Sequence, residues 1–312
     1  MKKTIAFLLA ALLLLTLAGC GGGSGKKTGD DGVTTTEEPT EPAALTLADD
    51  MQVMELRFKA PDAYETVERY TNLGADGTPV EKDLKYTLAD GGEFTYAWMR
   101  GQDISTIMDP TELESKDFGG QTFRFTEKSG YQLSFAERNG DLYAVSCKAA
   151  DGQDGAALLD AALAQVSFIS ATETSIDDTD LYDIRYTIDE ALPLAGTAIR
   201  VTASPDGTVE KKDVYWSYGE SADNLDYTLM IRVFKDKTVE SVLKEDKEYE
   251  QKTVGGIEYT VLKADDDTPY EYYTQHGSDV YEIRNNGKSG WITSRSDESF
   301  AAFEAFLNSI SF

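Results

Sequence analysis

Two cysteines and a single histidine in 312 residues leave little material for metal chemistry. A zinc site takes three or four His, Cys or acidic ligands, so a His- or Cys-rich centre is not expected. His276, in "TQHGSD", would need a nucleophile and an orienting acid to act as a base, and it reads instead as a turn residue ahead of a strand. Basic residues are scarce too: 29 Lys and Arg stand against 56 Asp and Glu, a net charge of −27. A chain this acidic is repelled by nucleic acid, which is excluded as a partner, and by anionic headgroups and wall polyanions. No Gly-Lys-Ser/Thr follows Gly119-Gly120 or Gly255-Gly256. Each pair precedes a strand-like segment, so both read as turns and not as phosphate loops. No cofactor is expected.

What is present begins with "MKKTIAFLLAALLLLTLAGC". Lys2 and Lys3 form a positive start, and Ile5 to Leu17 is an apolar run too short to span a bilayer comfortably. Residues 1–19 therefore read as an export signal. Leu17-Ala18-Gly19-Cys20 resembles the lipobox of bacterial lipoproteins. That resemblance implies cleavage before Cys20 and a diacylglyceryl thioether on its sulfur, since small Ala18 and Gly19 suit a peptidase groove and only a thiol gives the thioether. Two acyl chains would anchor the protein stably at the extracytoplasmic face of the membrane. Loss of Lys2 and Lys3 takes the net charge from −27 to −29. With Cys20 lipidated, Cys147 has no partner for a disulfide; in "LYAVSCKA" it reads as a small buried strand residue. Residues 20–48 are Gly-, Thr-, Glu- and Pro-rich with few large apolar side chains and read as a disordered tether.

The rest of the chain repeats itself. "MELRF" (54–58) matches "YDIRY" (182–186), and "DGTPVEKDLKY" (76–86) matches "DGTVEKKDVYW" (206–216) at an offset of 130. "DFGGQTFRF" (117–125), "GDLYAV" (140–145) and "LDAALAQVSF" (159–168) find counterparts in "TVGGIEYTV" (253–261), "SDVYEI" (278–283) and "FEAFLNSISF" (303–312). Collinear order with a slowly growing offset points to two copies, 50–169 and 180–312, joined by "SATETSIDDTD".

Comparing copies fixes ambiguous elements. "DAYETVERYTNL" suits helix or strand, but its counterpart "GTAIRVTAS" is rich in β-branched residues, so both are expected to be strands. Asp76-Gly77 and Asp206-Gly207 are expected turns, and Asn139-Gly140 a hairpin. In the opening phrase Lys82/Lys212 and Asp83/Asp213 decorate a strand whose apolar face is Leu84/Val214 and Tyr86/Trp216. "PTELESKD" and "KTVESVLKED" suggest a short helix per copy. Phe303, Phe306, Leu307 and Ile310 fall at i, i+3, i+4 and i+7, an amphipathic helix matched by Leu159, Ala162, Leu163 and Val166. The expected fold class is α+β: two tandem repeats, each an antiparallel β-sheet with a C-terminal helix packed on one face. The ending "FLNSISF" with this strand order resembles the Mog1/PsbP-like group of small α+β domains, a resemblance that implies binding or assembly modules.

Abundant carboxylates keep a paired-acid hydrolase between the repeats open as an alternative. Asp177-Asp178 and Asp265–Asp267 lack EF-hand spacing, so solvated turns are the default over calcium. The remaining recognition candidate is "PYEYYTQ" (269–275), whose consecutive tyrosines must point to both faces of a strand. Tyr270, Tyr272 and Tyr273 are therefore a candidate ligand-facing surface. The sequence is read as a non-enzymatic, lipid-anchored binding or assembly protein for an envelope protein or wall glycan.

Overall fold

A computed structural model describes residues 47–170, 181–188, 193–221, 224–263, 270–285 and 297–312. The export signal, Cys20 and the acidic turns at 177–178 and 265–267 lie outside the described residues. Strand β1 (Leu47–Val53) begins inside the stretch assigned to the tether and pairs with β2 (Leu56–Pro61), which also pairs with β10 (Ser167–Phe168) in a three-stranded sheet. Every other strand joins one antiparallel sheet of fourteen. The first seven are β3 (Tyr64–Gly74), β4 (Pro79–Leu88), β5 (Glu93–Met99), β6 (Glu114–Phe118), β7 (Gln121–Lys128), β8 (Tyr131–Arg138) and β9 (Asp141–Lys148). The other seven are β11 (Leu194–Ala203), β12 (Val209–Ser221), β13 (Asn224–Phe234), β14 (Tyr249–Val254), β15 (Ile257–Leu262), β16 (Tyr270–His276) and β17 (Asp279–Asn285). Their order is β6-β7-β8-β9-β5-β4-β3-β11-β12-β13-β17-β16-β15-β14, which reads the same from either edge to the centre.

This corrects the expected α+β class. Of the described residues 56% are strand and 13% helix, in one continuous sheet and not in two tandem units with a sheet and helix each. The reason is the junction. β11 pairs with β3 from Gly196↔Gly74 to Ala203↔Val67, so backbone hydrogen bonds fuse what periodicity reads as two sheets. Alternation identifies a strand and its buried face but not the edge it will meet. A second correction concerns "PTELESKD", which is a 3₁₀ turn at Pro110–Glu112 followed by edge strand β6. Pairing with β7, from Glu114↔Phe125 to Phe118↔Gln121, overrides the helix propensity of its Glu and Lys. "KTVESVLKED" supplies only one helical turn, α3 (Val239–Val242); α1 (Ile104–Ile107) is as short.

The turns follow local chemistry. Gly77 and Gly207 sit at φ +75° and +86°, and Asp76 and Asp206 Oδ1 accept the amides of Thr78 and Thr208 at 3.0 and 2.9 Å. One face of the sheet carries the main core. Helix α2 (Gly155–Leu163) packs Leu158, Leu159, Ala162 and Leu163 among Tyr86, Phe94, Tyr96 and Cys147. Helix α4 (Asp297–Ser309) places Phe303, Phe306 and Leu307 among Val214, Trp216, Ile231 and Tyr272. Burial pushes the Cys147 thiol up to about 12, so it is inert at neutral pH. The two halves also match in detail: Arg57 pairs with Ser167, and Arg185 bridges Ser311. No helix among the described residues is long and apolar enough to cross a membrane.

Candidate functional site

The other face of the sheet is where the two halves diverge. Strand alternation puts Glu81, Asp83 and Lys85 opposite to Leu84 and Tyr86, and Asp213 and Tyr215 opposite to Val214 and Trp216. Registers then align one residue per strand into a row: Tyr273, Glu282, Arg232, Asp213, Arg200, Tyr70, Asp83 and Ala97. Arg200 and Tyr70, at equivalent positions in the two halves, face each other at the junction, with the guanidinium 5.6 Å from the ring centre.

In the second half this row is a continuous ionic network. Arg232 donates from Nε to Asp213 Oδ1 at 2.8 Å and from Nη2 to Oδ2 at 3.0 Å, a two-pronged grip. Its Nη1 reaches Glu282 Oε2 at 3.1 Å. Arg284 bonds Glu282 and also reaches Glu271 at 2.8 Å, and Lys244 approaches Glu271 at 3.3 Å. Tyr215 donates to Asp213 and Tyr273 to Glu271, at 3.2 and 2.8 Å. Asp213, Glu282 and Glu271 are all essentially inaccessible to solvent. Burial alone would raise the Asp213 carboxyl; the charge and hydrogen bonds of Arg232 outweigh it and bring the group to about 2. Glu282 is likewise held below its usual range by Arg284 and Arg232 against burial.

The first half has different material in the same places. Asp83 aligns with Asp213 in the repeated phrase, but its neighbour on β5 is Ala97, where Asp213 has Arg232. Beyond it an apolar cluster of Ala97, Met99, Leu133, Phe135, Leu142 and Ala144 lies under Ile104 and Ile107 of α1. The nearby cations are engaged: Lys85 with Glu93 at 3.1 Å, Arg200 with Glu68 at 3.3 Å. Asp83 is 5% exposed and its Oδ1 accepts no hydrogen bond. Burial, then the charges of Glu81 and Glu68, drive its carboxyl far up. Burial also takes Glu81 to about 7, against a hydrogen bond from Asn72.

Two of the tyrosines singled out from the sequence, Tyr272 and Tyr273, do not form a surface. Each is 2% exposed. The alternation is as expected, but both faces of β16 are covered: Tyr272 meets Phe303 edge-on at 5.5 Å on the α4 side, and Tyr273 is sealed into the ionic network. The Tyr270 side chain lies outside the described residues. His276, expected in a turn, is instead the last residue of β16, paired with Asp279, exposed and stacked on Phe312 at 4.6 Å. No group of three or more His, Cys, Asp or Glu able to hold a metal occurs among the described residues. Asp83, Glu81, Asp213, Arg232, Glu282, Arg284 and Glu271 were not singled out, because charged positions alternating with apolar ones on a strand read as solvated. The usable signal was the repeated phrase itself, which carries both aspartates.

No family model matches the chain, and no curated protein matches it. Among solved structures it is similar to the immunity protein TplEi of the type VI secretion system from Pseudomonas aeruginosa, complexed with "L" peptide. That match has 11% identity over 86% of this chain and 98% of the other, with a TM-score of 0.23. A second is MucB in complex with MucA(peri), at 9% identity over 80% and 93% of the two chains, with a TM-score of 0.19. At such scores the backbones do not superpose, and neither fold nor role is drawn from them.

Proposed function

We propose that this chain is a lipid-anchored, non-enzymatic binding protein at the extracytoplasmic face of the membrane, built from a duplicated half and acting on a protein partner. The observation that carries the non-enzymatic reading is the state of the buried acids in the second half. Asp213 and Glu282 are held ionised by guanidinium groups, and Glu271 is engaged by Arg284, Lys244 and Tyr273. Asp213 and Glu282, locked in this way, neither take up nor release a proton readily near neutrality. The anchor rests on Leu17-Ala18-Gly19-Cys20. In cells, the full chain is expected to incorporate an alkyne-tagged palmitate and to fractionate with membranes, and Cys20→Ser to lose both. Cross-linking of the intact chain in the envelope is expected to capture a protein; full membrane retention of Cys20→Ser overturns the anchor, and absence of any cross-linked protein overturns the binding role.

One observation favours a hydrolase as second reading: Glu81 titrates near neutrality beside Asp83. A screen of glycoside and peptide substrates in which Glu81→Gln abolished turnover would establish it over the first.

A further inference from the structure

We propose that Asp83, with Glu81, receives the cationic tip of an arginine or lysine side chain from a protein partner, on the face where β3 meets β4. The second half of the molecule shows what an aspartate at this position takes in this fold. Asp213 occupies the same place in the repeated phrase and the same row of the sheet, and it is satisfied by a guanidinium from the neighbouring strand. The first half keeps the aspartate and puts a methyl group, Ala97, where that guanidinium originates.

Three features of Asp83 fit a receiver and not a residue left over from repetition. Its Oδ1 is buried and accepts no hydrogen bond, a cost that an aliphatic side chain at this position would not carry. Lys85 and Arg200, the cations facing it from its own strand and from β11, are turned to Glu93 and Glu68. Glu81 lies two residues along on the same face and is part-exposed, with part-exposed Asn72 across from it on β3 donating to it, so a second carboxylate stands on the solvent side of Asp83. The chain's excess of acidic residues, 56 against 29 basic, favours a basic partner over an acidic one. Entry of a cation would leave Asp83 ionised and release to solvent any proton it held.

The site rests on the binding-protein reading for the nature of its partner, but it can be tested apart from it. The probe is the peptide acetyl-Gly-Arg-Gly-amide, titrated by calorimetry at pH 7 into the full-length protein in neutral detergent, in two buffers of different ionisation enthalpy. Saturable binding with proton release is expected, absent for the glutamine analogue of the peptide. Asp83→Asn is expected to weaken it about tenfold or more while leaving the thermal unfolding transition in place. Ala97→Arg, which brings in the guanidinium from within, is expected to abolish it; if that variant does not fold, Asp83→Asn decides. No saturable binding, or binding unchanged in Asp83→Asn, overturns the site, as does titration of Asp83 that arginine peptide leaves untouched. Partner capture in cells without peptide binding would strike this inference and spare the binding role, whereas peptide binding without capture would do the reverse.

Discussion

Removing the fully buried Asp213 carboxylate would take away the acceptor of both Arg232 Nε and Nη2, leaving Glu282 as the one carboxylate bonded to that guanidinium. Breaking a buried pair from one side costs about 3–5 kcal/mol, so Asp213→Ala should lower the free energy of unfolding in urea by that amount. Asp83→Asn is expected to do the opposite, leaving stability unchanged or raising it, because it replaces a buried carboxyl whose charged form is disfavoured and has no cation bonded to it. Glu81 adds a pH dependence of defined sign. Its carboxyl rises from 4.5 to about 7 on folding. Its contribution is therefore complete below 4.5 and is lost as the pH climbs through 7, about 3 kcal/mol. Denaturation at a series of pH values should show stability falling over that window, with a flatter slope in Glu81→Gln. Asp213 works at the other end: its contribution is present above 3.8 and fades as the pH drops through about 2.

Strands and turns were the legible elements. Asp-Gly and Asn-Gly fixed their bends through positive φ, with Asn139 and Gly140 at +54° and +85°, and Leu84 and Tyr86 fell on the buried face that alternation assigned them. The edge strand β6 was not legible, since Glu, Lys and Asp favour helix until a neighbour's backbone offers a ladder. Nor was the junction, where Gly196 is required by space and not by its dihedral angle: a Cβ there would lie 2.8 Å from the Leu73 carbonyl oxygen. Gly196→Val should therefore wedge β11 from β3 at a cost of about 1–3 kcal/mol. The candidate site was illegible for a related reason. Buried acids and bases on a strand are written in the same letters as solvated ones, and only cross-strand registers tell them apart.

A sheet continuous through fourteen strands should unfold as one body. Its halves share backbone hydrogen bonds from Gly196↔Gly74 to Ala203↔Val67, with no linker carrying the contact. Calorimetry is expected to record a single endotherm for the parent chain, and Gly196→Val to split or broaden it as the halves lose their coupling. The outer edges are guarded: β6 and β14 carry Lys116 and Lys252 among exposed polar residues, a composition that discourages further strands from docking.

The junction is a different kind of edge. Because Tyr70 and Arg200 hold equivalent places and face each other across it, the seam has the geometry of a handshake between identical hands. A fragment ending after residue 170 would present β3 bare, and a second fragment could offer its own β3 in antiparallel register about Tyr70. Such a fragment is expected to run as a twofold dimer in size-exclusion chromatography. The intact chain would then be, in effect, that dimer made permanent by one covalent connection, freeing each half to change where a symmetric pair must stay alike.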